Sequence, residues 1–253
     1  MSSKVSAIII TQNEAESLQR CLEGLQWCDE IVIVDSESRD ETVELARKYT
    51  DKIFIEAFKG FGPQKQSAVE KTSNEWVLSI DADEEVTPLL AEEIASVLEQ
   101  KSPIKGFLIP RKNLYGSKWI RFGGQYPDYN LRLFSKSHGE FTRQMIHERI
   151  IVSGEVAKLS HPLIHYAYKD LSTTMQKMNR YTNLAAEEKW RQGERVTFPA
   201  PLLHLITHFL KDYFLRFGFL DGHEGFIVTW IKSLSAYFKY AKLLEFQKMG
   251  RVD

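Results

Sequence analysis

The first hundred residues alternate compact apolar runs with segments whose apolar residues recur every three or four positions. The apolar runs are typical of buried strands: Val5–Ile10, Glu30–Val34, Lys52–Glu56 and Trp76–Ile80. Residues 60–63 predict a loop before a helix from about Gln64 to Lys71, and Pro88 begins a helix that we expect to end near Gln100. Repeated strand–helix units predict an α/β fold with a mainly parallel sheet and helices on both faces.

The pattern changes after Pro103. Shorter apolar runs with irregular links predict that the sheet becomes mixed: Gly106–Pro110, Leu131–Ser135, Ile146–Val152 and Ala157–Ile164. A polar helix is predicted from Leu171 to about Gln192, and from Leu202 onward aromatic residues are interspersed with lysine and arginine. We therefore expect an α/β half at 1–102, a second half of the same domain at 103–168, and a helical C-terminal region at 169–253.

Composition and charge are those of an ordinary soluble globular protein. The chain has 253 residues, of which 43% are hydrophobic and 26% charged, and a formal net charge of −1. We therefore expect no nucleic-acid partner. The N-terminal apolar run is too short for a signal peptide, and no stretch approaches the ~20 apolar residues of a membrane span. The expected location is the cytoplasm or the cytoplasmic face of a membrane.

The charge is unevenly distributed along the chain. Between Lys105 and Arg143 there are eight lysine and arginine residues against two acids, a local net charge of +6. This segment is either a solvated basic face or a binding site for an anionic substrate, and the sequence leaves both interpretations open.

Two carboxylates follow the fourth predicted strand, at Asp81 and Asp83. Their i, i+2 spacing on extended backbone sends both side chains to the same side. In open α/β sheets the carboxyl ends of the strands are where ligands bind. Because close carboxylates repel each other, they favour a divalent cation, which typically completes its shell with substrate phosphates. The segment predicts chemistry on a phosphorylated or nucleotide-linked substrate.

Polar residues also follow the first two strands, at Thr11, Asn13 and Asp35. The turn after the first strand is Thr-Gln-Asn-Glu and contains no glycine, and neither G-x-G-x-x-G nor G-x-x-x-x-G-K-[ST] follows any strand. These absences disfavour dinucleotide-dependent dehydrogenases and P-loop NTPases. Side chains of this kind are suited to recognising a base and a ribose through hydrogen bonds.

Three segments together resemble the signature segments of family 2 glycosyltransferases, which have the GT-A fold. They are Val-Ser-Ala-Ile-Ile-Ile-Thr-Gln-Asn-Glu, Ile-Val-Ile-Val-Asp-Ser-Glu-Ser-Arg-Asp-Glu-Thr and Leu-Ser-Ile-Asp-Ala-Asp-Glu, within about residues 4–100. Three further segments resemble a bacterial subfamily that transfers glucose to the inner-core heptose of lipopolysaccharide or lipooligosaccharide. These are Gly-Phe-Gly-Pro-Gln-Lys-Gln, Pro-Asp-Tyr-Asn-Leu-Arg-Leu-Phe and Ile-His-Glu, and they extend the resemblance over nearly the whole chain.

The resemblance implies roles for matching residues. A UDP-sugar donor would be held by Thr11, Asn13, Glu14, Asp35, Lys65, Asp81 and Asp83. Within this set, Lys65 would face the base or diphosphate, Asp81 would contact ribose or sugar, and Asp83 would bind Mn²⁺ or Mg²⁺. The acceptor would be a lipid-linked core oligosaccharide.

The family inverts the anomeric configuration, which implies a catalytic base that deprotonates the acceptor hydroxyl. Asp128 and Glu148 are both candidates. Asp128 precedes Arg132 at the family's usual distance, although Pro127 stands where a second acid is usual. Glu148 lies in the Ile-His-Glu segment, where His147 is either a further metal or diphosphate ligand or a structural histidine.

Arg132 and Arg143 have two possible roles. They could hold an acceptor phosphate through paired hydrogen bonds, since inner-core acceptors carry phosphates and acidic sugars. Alternatively, they pair with surface acids.

The aromatic C-terminal region also has two interpretations. Its helices could pack against the catalytic domain, or they could present a surface to the headgroup region of an anionic membrane. The second interpretation predicts peripheral association with the cytoplasmic face of the inner membrane.

Three alternatives to the lipopolysaccharide assignment remain at this stage. The first is a glycosyltransferase with a polyprenyl-phosphate or other glycan acceptor. The others are a nucleotidyltransferase and a non-catalytic membrane-binding module. The sequence also leaves open whether the donor sugar is glucose or galactose.

Overall fold

The computed structural model describes residues 3–100, 102–142 and 148–249. The chain divides into two compact units. The first contains the described parts of Met1–Arg111 and Asp128–His165, and the second contains Lys112–Pro127 and the described part of Tyr166–Asp253. Arg143 and His147, both assigned roles from the sequence, lie outside the described residues.

The first unit contains most of the strands and four helices. Its strands, two of which continue into the second unit along the chain, are β1 (Val5–Thr11), β2 (Glu30–Asp35), β3 (Ile53–Ile55), β4 (Trp76–Asp81), β5 (Glu84–Glu85), β6 (Ile104–Tyr115), β8 (Asp128–Ser135), β9 (Gly139–Phe141), β10 (Ile150–Val152), β11 (Glu155–Lys158) and β12 (Leu163–Tyr168). Its helices are α1 (Ala15–Glu23), α2 (Thr42–Ala46), α3 (Phe61–Glu70) and α4 (Pro88–Glu99).

The sheet is parallel in its first half and mixed beyond it. β1 lies between β2 and β4 and is parallel to both, and β3 extends the parallel part beyond β2. β8 is antiparallel to β4 and to β6, β11 is parallel to β6, and β5 is antiparallel to β12. β9 and β10 form a separate antiparallel pair. The antiparallel register carries the start of β8 to the edge at which β4 ends.

Alternate residues of β1 pack into two cores. Ile9 belongs to a cluster with Leu22 of α1 and Ile94 of α4, whereas Ile8 packs with Ala68 of α3 and residues of β8 and β9. Since neighbouring strand residues face opposite sides, helices cover both faces of the sheet. Full burial of side chains such as Ile8 and Ile9 contributes roughly 1.5–3 kcal/mol each.

Two helix starts illustrate what local sequence determines. Pro88 begins α4 as predicted, and the Thr87 hydroxyl accepts a hydrogen bond from the Leu90 backbone N–H. α3 begins at Phe61, three residues before the expected start at Gln64. The expected loop was too long because Pro63 lies in the first turn of α3, where its missing N–H costs nothing.

The later strands differ more from the pattern. β6 extends well beyond the predicted Gly106–Pro110. The predicted strand Ala157–Ile164 is two strands, β11 and β12, and the break contains Pro162, which has no N–H to give to a ladder. Of the predicted strand Ile146–Val152, the described part is strand only from Ile150, in β10.

The second unit is mainly helical. It contains the short strand β7 (Lys118–Trp119), the helices α5 (Leu171–Arg191), α6 (Ala200–Leu210) and α7 (Gly222–Met249), a π-helical turn at Lys211–Leu215 and a 3₁₀ turn at Gly218–Asp221. The Asp170 carboxylate caps α5 by accepting the Thr173 N–H. Among the residues that the structure describes, no helix combines the length and apolar character that crossing a membrane requires. The expected class, an α/β mixed sheet with a helical C-terminal region, is confirmed.

Candidate active site

The three signature segments meet at one edge of the parallel sheet. The register pairs Thr11 at the end of β1 with Asp35 at the end of β2, and pairs Ile10 with Asp81 at the end of β4. The candidate site is therefore built on the carboxyl ends of adjacent strands, where α/β sheets usually bind ligands.

Asp35 is buried and organises the loop after β1. Its Oδ2 accepts hydrogen bonds from the Thr11 hydroxyl, at 2.8 Å, and the Ser38 hydroxyl, at 2.6 Å, while its Oδ1 accepts the Ser38 N–H at 2.8 Å. Asn13 is exposed with a positive φ of 56°, and its amide oxygen accepts the Arg39 N–H. The Glu14 N–H donates to the Thr42 hydroxyl. Most of these polar groups are hydrogen-bonded to one another. Of the predicted uridine-binding residues Thr11, Asn13 and Asp35, only Asn13 has an exposed side chain.

Asp81 lies between two buried cations. Lys65 Nζ is 2.8 Å from its Oδ1, and Arg132 Nη2 is 2.7 Å from its Oδ2. The same guanidinium nitrogen lies 2.6 Å from Glu84 Oε1, and the Asp81 N–H donates to Glu84 Oε2. The Lys65 and Arg132 side chains are each 7% exposed, whereas that of Asp81 is 30% exposed. Asp81 is thus the more accessible member of the cluster.

The electrostatics of this cluster follow from burial opposed by charge. Burial alone would raise the pKa of Asp81, but Arg132 and Lys65 outweigh it and hold that pKa well below its usual range. Burial would lower the pKa values of Lys65 and Arg132. The neighbouring carboxylates outweigh this effect, so both pKa values are raised. Burial raises the pKa of Glu84 despite the Arg132 guanidinium, and the charge of Asp81 adds to this rise. Arg132 and Lys65 therefore hold Asp81 in its charged form.

Both candidate bases are ion-paired. Arg111 Nε and Nη2 lie 2.9 Å and 2.6 Å from Asp128 Oδ2, and the Asn130 amide donates to Asp128 Oδ1 at 3.1 Å. Glu148 Oε1 is 2.8 Å from Lys65 Nζ, which joins Glu148 to the Asp81 cluster. Glu148 therefore belongs to the group around Lys65, and Asp128 lies at the start of β8 beside Arg111.

Asp83 has a neighbour that the sequence pattern does not indicate. His165 Nε2 lies 3.6 Å from Asp83 Oδ1, because the antiparallel pairing of β12 with β5 places His165 opposite Glu84. Among the described residues, no three His, Cys, Asp or Glu side chains are grouped as metal ligands. A carboxylate and an imidazole still fit one divalent ion whose remaining ligands are substrate oxygens and water, and the imidazole suits Mn²⁺ better than Mg²⁺.

A cleft of about 380 Å³ opens beside the cluster. Its lining includes Lys65, Asp81, Arg111, Arg132 and Glu148. Arg132 Nε has no hydrogen-bond partner among the described residues, although it is buried. Four lysine and arginine side chains line the cleft against two carboxylates, and this positive balance favours an anionic ligand.

The structure brings together most of the predicted site residues. Lys65, Asp81, Arg132 and Glu148 form one connected cluster, and Asp83, Thr11 and Asp35 lie at the same sheet edge. Arg132 does pair with acids, as the alternative interpretation expected, but these acids belong to the site. Sequence reasoning left out Glu84, Arg111 and His165 as site residues. Glu84 directly follows Asp83, so its position in the sequence could have indicated it as a site residue. The position of His165 depends on the long-range pairing of β12 with β5.

The sheet and its charged edge define an α/β protein with a candidate ligand site at the carboxyl ends of its strands, and comparison with known proteins gives the family. The profile described as Glycosyl transferase family 2 matches residues 6–149, and the chain belongs to this family. The lipopolysaccharide core biosynthesis glycosyltransferase LpsC of Rhizobium meliloti is 31% identical over 95% of this chain and 92% of its own length. An uncharacterized glycosyltransferase of Rickettsia conorii is 28% identical over 97% of this chain and 91% of its own length.

A solved structure is also similar. The crystal structure of S. aureus TarS 1–349 covers 98% of this chain and 92% of its own, with a TM-score of 0.46 and 15% identity. Family membership identifies the chain as a glycosyltransferase, and not as a nucleotidyltransferase or a non-catalytic membrane-binding module.

Proposed function

We propose that the protein transfers glucose from UDP-glucose to the inner-core heptose of lipopolysaccharide, with inversion at the anomeric carbon. The observation that carries the proposal is the pair of buried cations, Lys65 and Arg132, aimed at Asp81 beside Asp83 and His165. A nucleoside diphosphate needs this combination of fixed positive charge and a carboxylate edge that accepts a metal ion. The lipopolysaccharide part rests on the sequence resemblance and on similarity to LpsC, which carries that role in its description.

The donor would lie along the carboxyl edge of β1, β2 and β4. Asn13 is exposed there and could hydrogen-bond to the uracil or ribose. The hydrogen bond between Thr11 and Asp35 would maintain the conformation of the loop after β1. Asp81 is charged and partly exposed, so it can accept hydrogen bonds from ribose or sugar hydroxyls. Lys65 and Arg132 would stabilise the negative charge that develops on UDP as the bond to the sugar breaks.

Asp83 and His165 would hold the divalent cation that the family implies, Mn²⁺ or Mg²⁺. When bound, this ion neutralises diphosphate charge in the leaving group. Because only these two side chains among the described residues are candidate protein ligands at this position, the other ligands of the ion would come from the substrate and water.

In the proposed reaction a carboxylate removes the proton from a heptose hydroxyl while that oxygen attacks C1 of the sugar. The bond between C1 and the β-phosphate oxygen breaks, and its electron pair leaves with UDP. General-base assistance of this kind contributes roughly 10²–10⁴-fold. Asp128 is the preferred base because Arg111 contacts its Oδ2 while its Oδ1 accepts from the neutral Asn130 amide, and its side chain is 32% exposed. Glu148 is the alternative, and its contact with Lys65 suits a role in holding the donor side of the site.

The direct test is a panel of nucleotide sugars with a purified inner-core acceptor, analysed by mass spectrometry. UDP-glucose should add one hexose to the heptose, and UDP-galactose should react much more slowly. Transfer only to a polyprenyl phosphate included in the same panel would replace the proposed acceptor. Heat-inactivated protein and acceptor lacking the inner-core heptose are the controls.

A further inference from the structure

The second unit carries an exposed apolar surface at the connection between α6 and α7. We call it the apolar tip, and its members are Leu210, Phe214, Leu215, Phe217, Leu220 and Trp230. Each of these side chains is at least 41% exposed, and Leu215 is 75% exposed. Isolated apolar side chains are normal on protein surfaces, but these six large exposed ones within residues 210–230 indicate an interaction site.

Ring contacts connect the aromatic members of the apolar tip. Half-buried Phe209 touches Trp230, with centroids 5.5 Å apart, and Phe214, at 6.4 Å. Tyr213 joins Phe214 to Phe219, which in turn contacts Phe217. The rings of α6, the π-helical turn, the 3₁₀ turn and α7 are therefore parts of one packed cluster, whose outer members remain exposed.

The charges around the apolar tip are arranged asymmetrically. Residues 198–238, all of which are described, contain three carboxylates. Asp212 is buried and paired with Arg216 at 3.0 Å and Lys232 at 2.8 Å. Asp221 is buried and accepts the backbone N–H groups of residues 121 and 122, and Glu224 is paired with Lys118. The acids are thus buried or neutralised, while Lys211 and Arg216 stay exposed beside the tip.

We propose that the apolar tip inserts into the headgroup region of an anionic bilayer, with Lys211 and Arg216 facing the headgroup phosphates. Aromatic and aliphatic side chains bordered by cations, with no exposed unpaired acid, match the chemistry of that interface. The inference rests on the proposed function, because an acceptor anchored in lipid requires an enzyme that reaches the membrane surface. It identifies the surface and the lipid charge on which docking depends.

Vesicle co-sedimentation of the full chain tests the proposal, with phosphatidylcholine vesicles with and without phosphatidylglycerol. Wild type should bind the anionic vesicles more strongly, and salt should weaken binding. The double variant Leu215→Glu, Leu220→Glu should lose at least about tenfold in partitioning, since each acid meets an anionic surface instead of adding apolar contact. The matched control is Leu89→Glu in α4, because Leu89 is 58% exposed and Leu220 is 56% exposed.

Lys211→Glu provides a second variant that leaves the apolar side chains intact, and it should also weaken binding to anionic vesicles. Wild type that binds neither vesicle, or a double variant that binds like Leu89→Glu, would overturn the proposal. If wild type does not bind vesicles but forms a dimer, and the double variant is monomeric, the apolar tip would instead be assigned to self-association. Transfer to a delipidated core oligosaccharide should be unchanged in every variant. Absence of that transfer in wild type with vesicle binding intact would reject the proposed function and leave the docking surface standing.

Discussion

Lys65 and Asp81 form an ion pair at the end of β4, with Lys65 Nζ 2.8 Å from Asp81 Oδ1. Arg132 occupies the other carboxylate oxygen, so Asp81 accepts from two cations that are almost completely buried. The pair joins α3, which contains Lys65, to the end of β4. A buried cation without its partner is costly, so breaking this contact should destabilise the cluster and change the shape of the candidate site.

We predict a pH-dependent contribution of Asp81 to the free energy of unfolding. Its folded-state pKa is held well below the unfolded value of about 3.9, so the stabilisation is present above that value and is lost as the pH falls through the folded pKa. Asp81→Asn should therefore be less stable than wild type near neutral pH, by at most about 3–5 kcal/mol, because Lys65 then retains Glu148 and Arg132 retains Glu84 in place of the full cluster. Urea unfolding at a series of pH values should show the two proteins converging in acid. A difference that is constant down to strongly acidic pH would contradict the ion-pair account.

Asp83 should be necessary for metal-dependent release of UDP. Asp83→Ala removes the carboxylate that faces His165, and it should abolish that release while leaving the fold intact. Activity with and without added Mn²⁺ or Mg²⁺, together with circular dichroism, measures both effects. Wild-type turnover that survives excess EDTA would remove the metal from the proposal.

The order of strands and helices in the first hundred residues follows directly from local sequence, because each apolar run is buried by the helices that flank it. The same holds for Asp35 and Asp81, which end their strands, whereas Asp83 lies in the turn after β4 and not on the extended backbone that its spacing from Asp81 predicted. The arrangement around Asp81 could not be predicted, because it depends on side chains far apart in sequence. Arg132 reaches Asp81 from an antiparallel strand, and the pairing of β12 with β5 brings His165 to Asp83. The early start of α3 was missed because Gly62-Pro63 is typical of loops as well as of first helical turns.

His165 should tune the affinity and identity of the metal. His165→Gln should weaken Mn²⁺ binding by roughly tenfold or more, since even outer-shell changes commonly cost 10–100-fold. The loss should be smaller for Mg²⁺, which depends less on nitrogen ligands. Titration of UDP-bound protein with each metal, followed by calorimetry, gives the affinities without relying on turnover. His161→Gln is the matched control, because His161 pairs with Glu93 and not with the site acids. Equal effects of the two substitutions would show that His165 is not a ligand.

The two candidate bases can be separated because they contact different cations. Asp128→Asn keeps a side chain that can accept from Arg111, and it should preserve UDP-sugar binding while lowering transfer by roughly 10²–10⁴-fold. Glu148→Gln removes the carboxylate charge that pairs with Lys65. It should therefore mainly weaken donor binding, with a smaller effect on kcat. Donor affinity measured by calorimetry, combined with single-turnover transfer, distinguishes these effects. The reverse pattern would assign the base to Glu148, and near-normal transfer in both variants would place the base elsewhere.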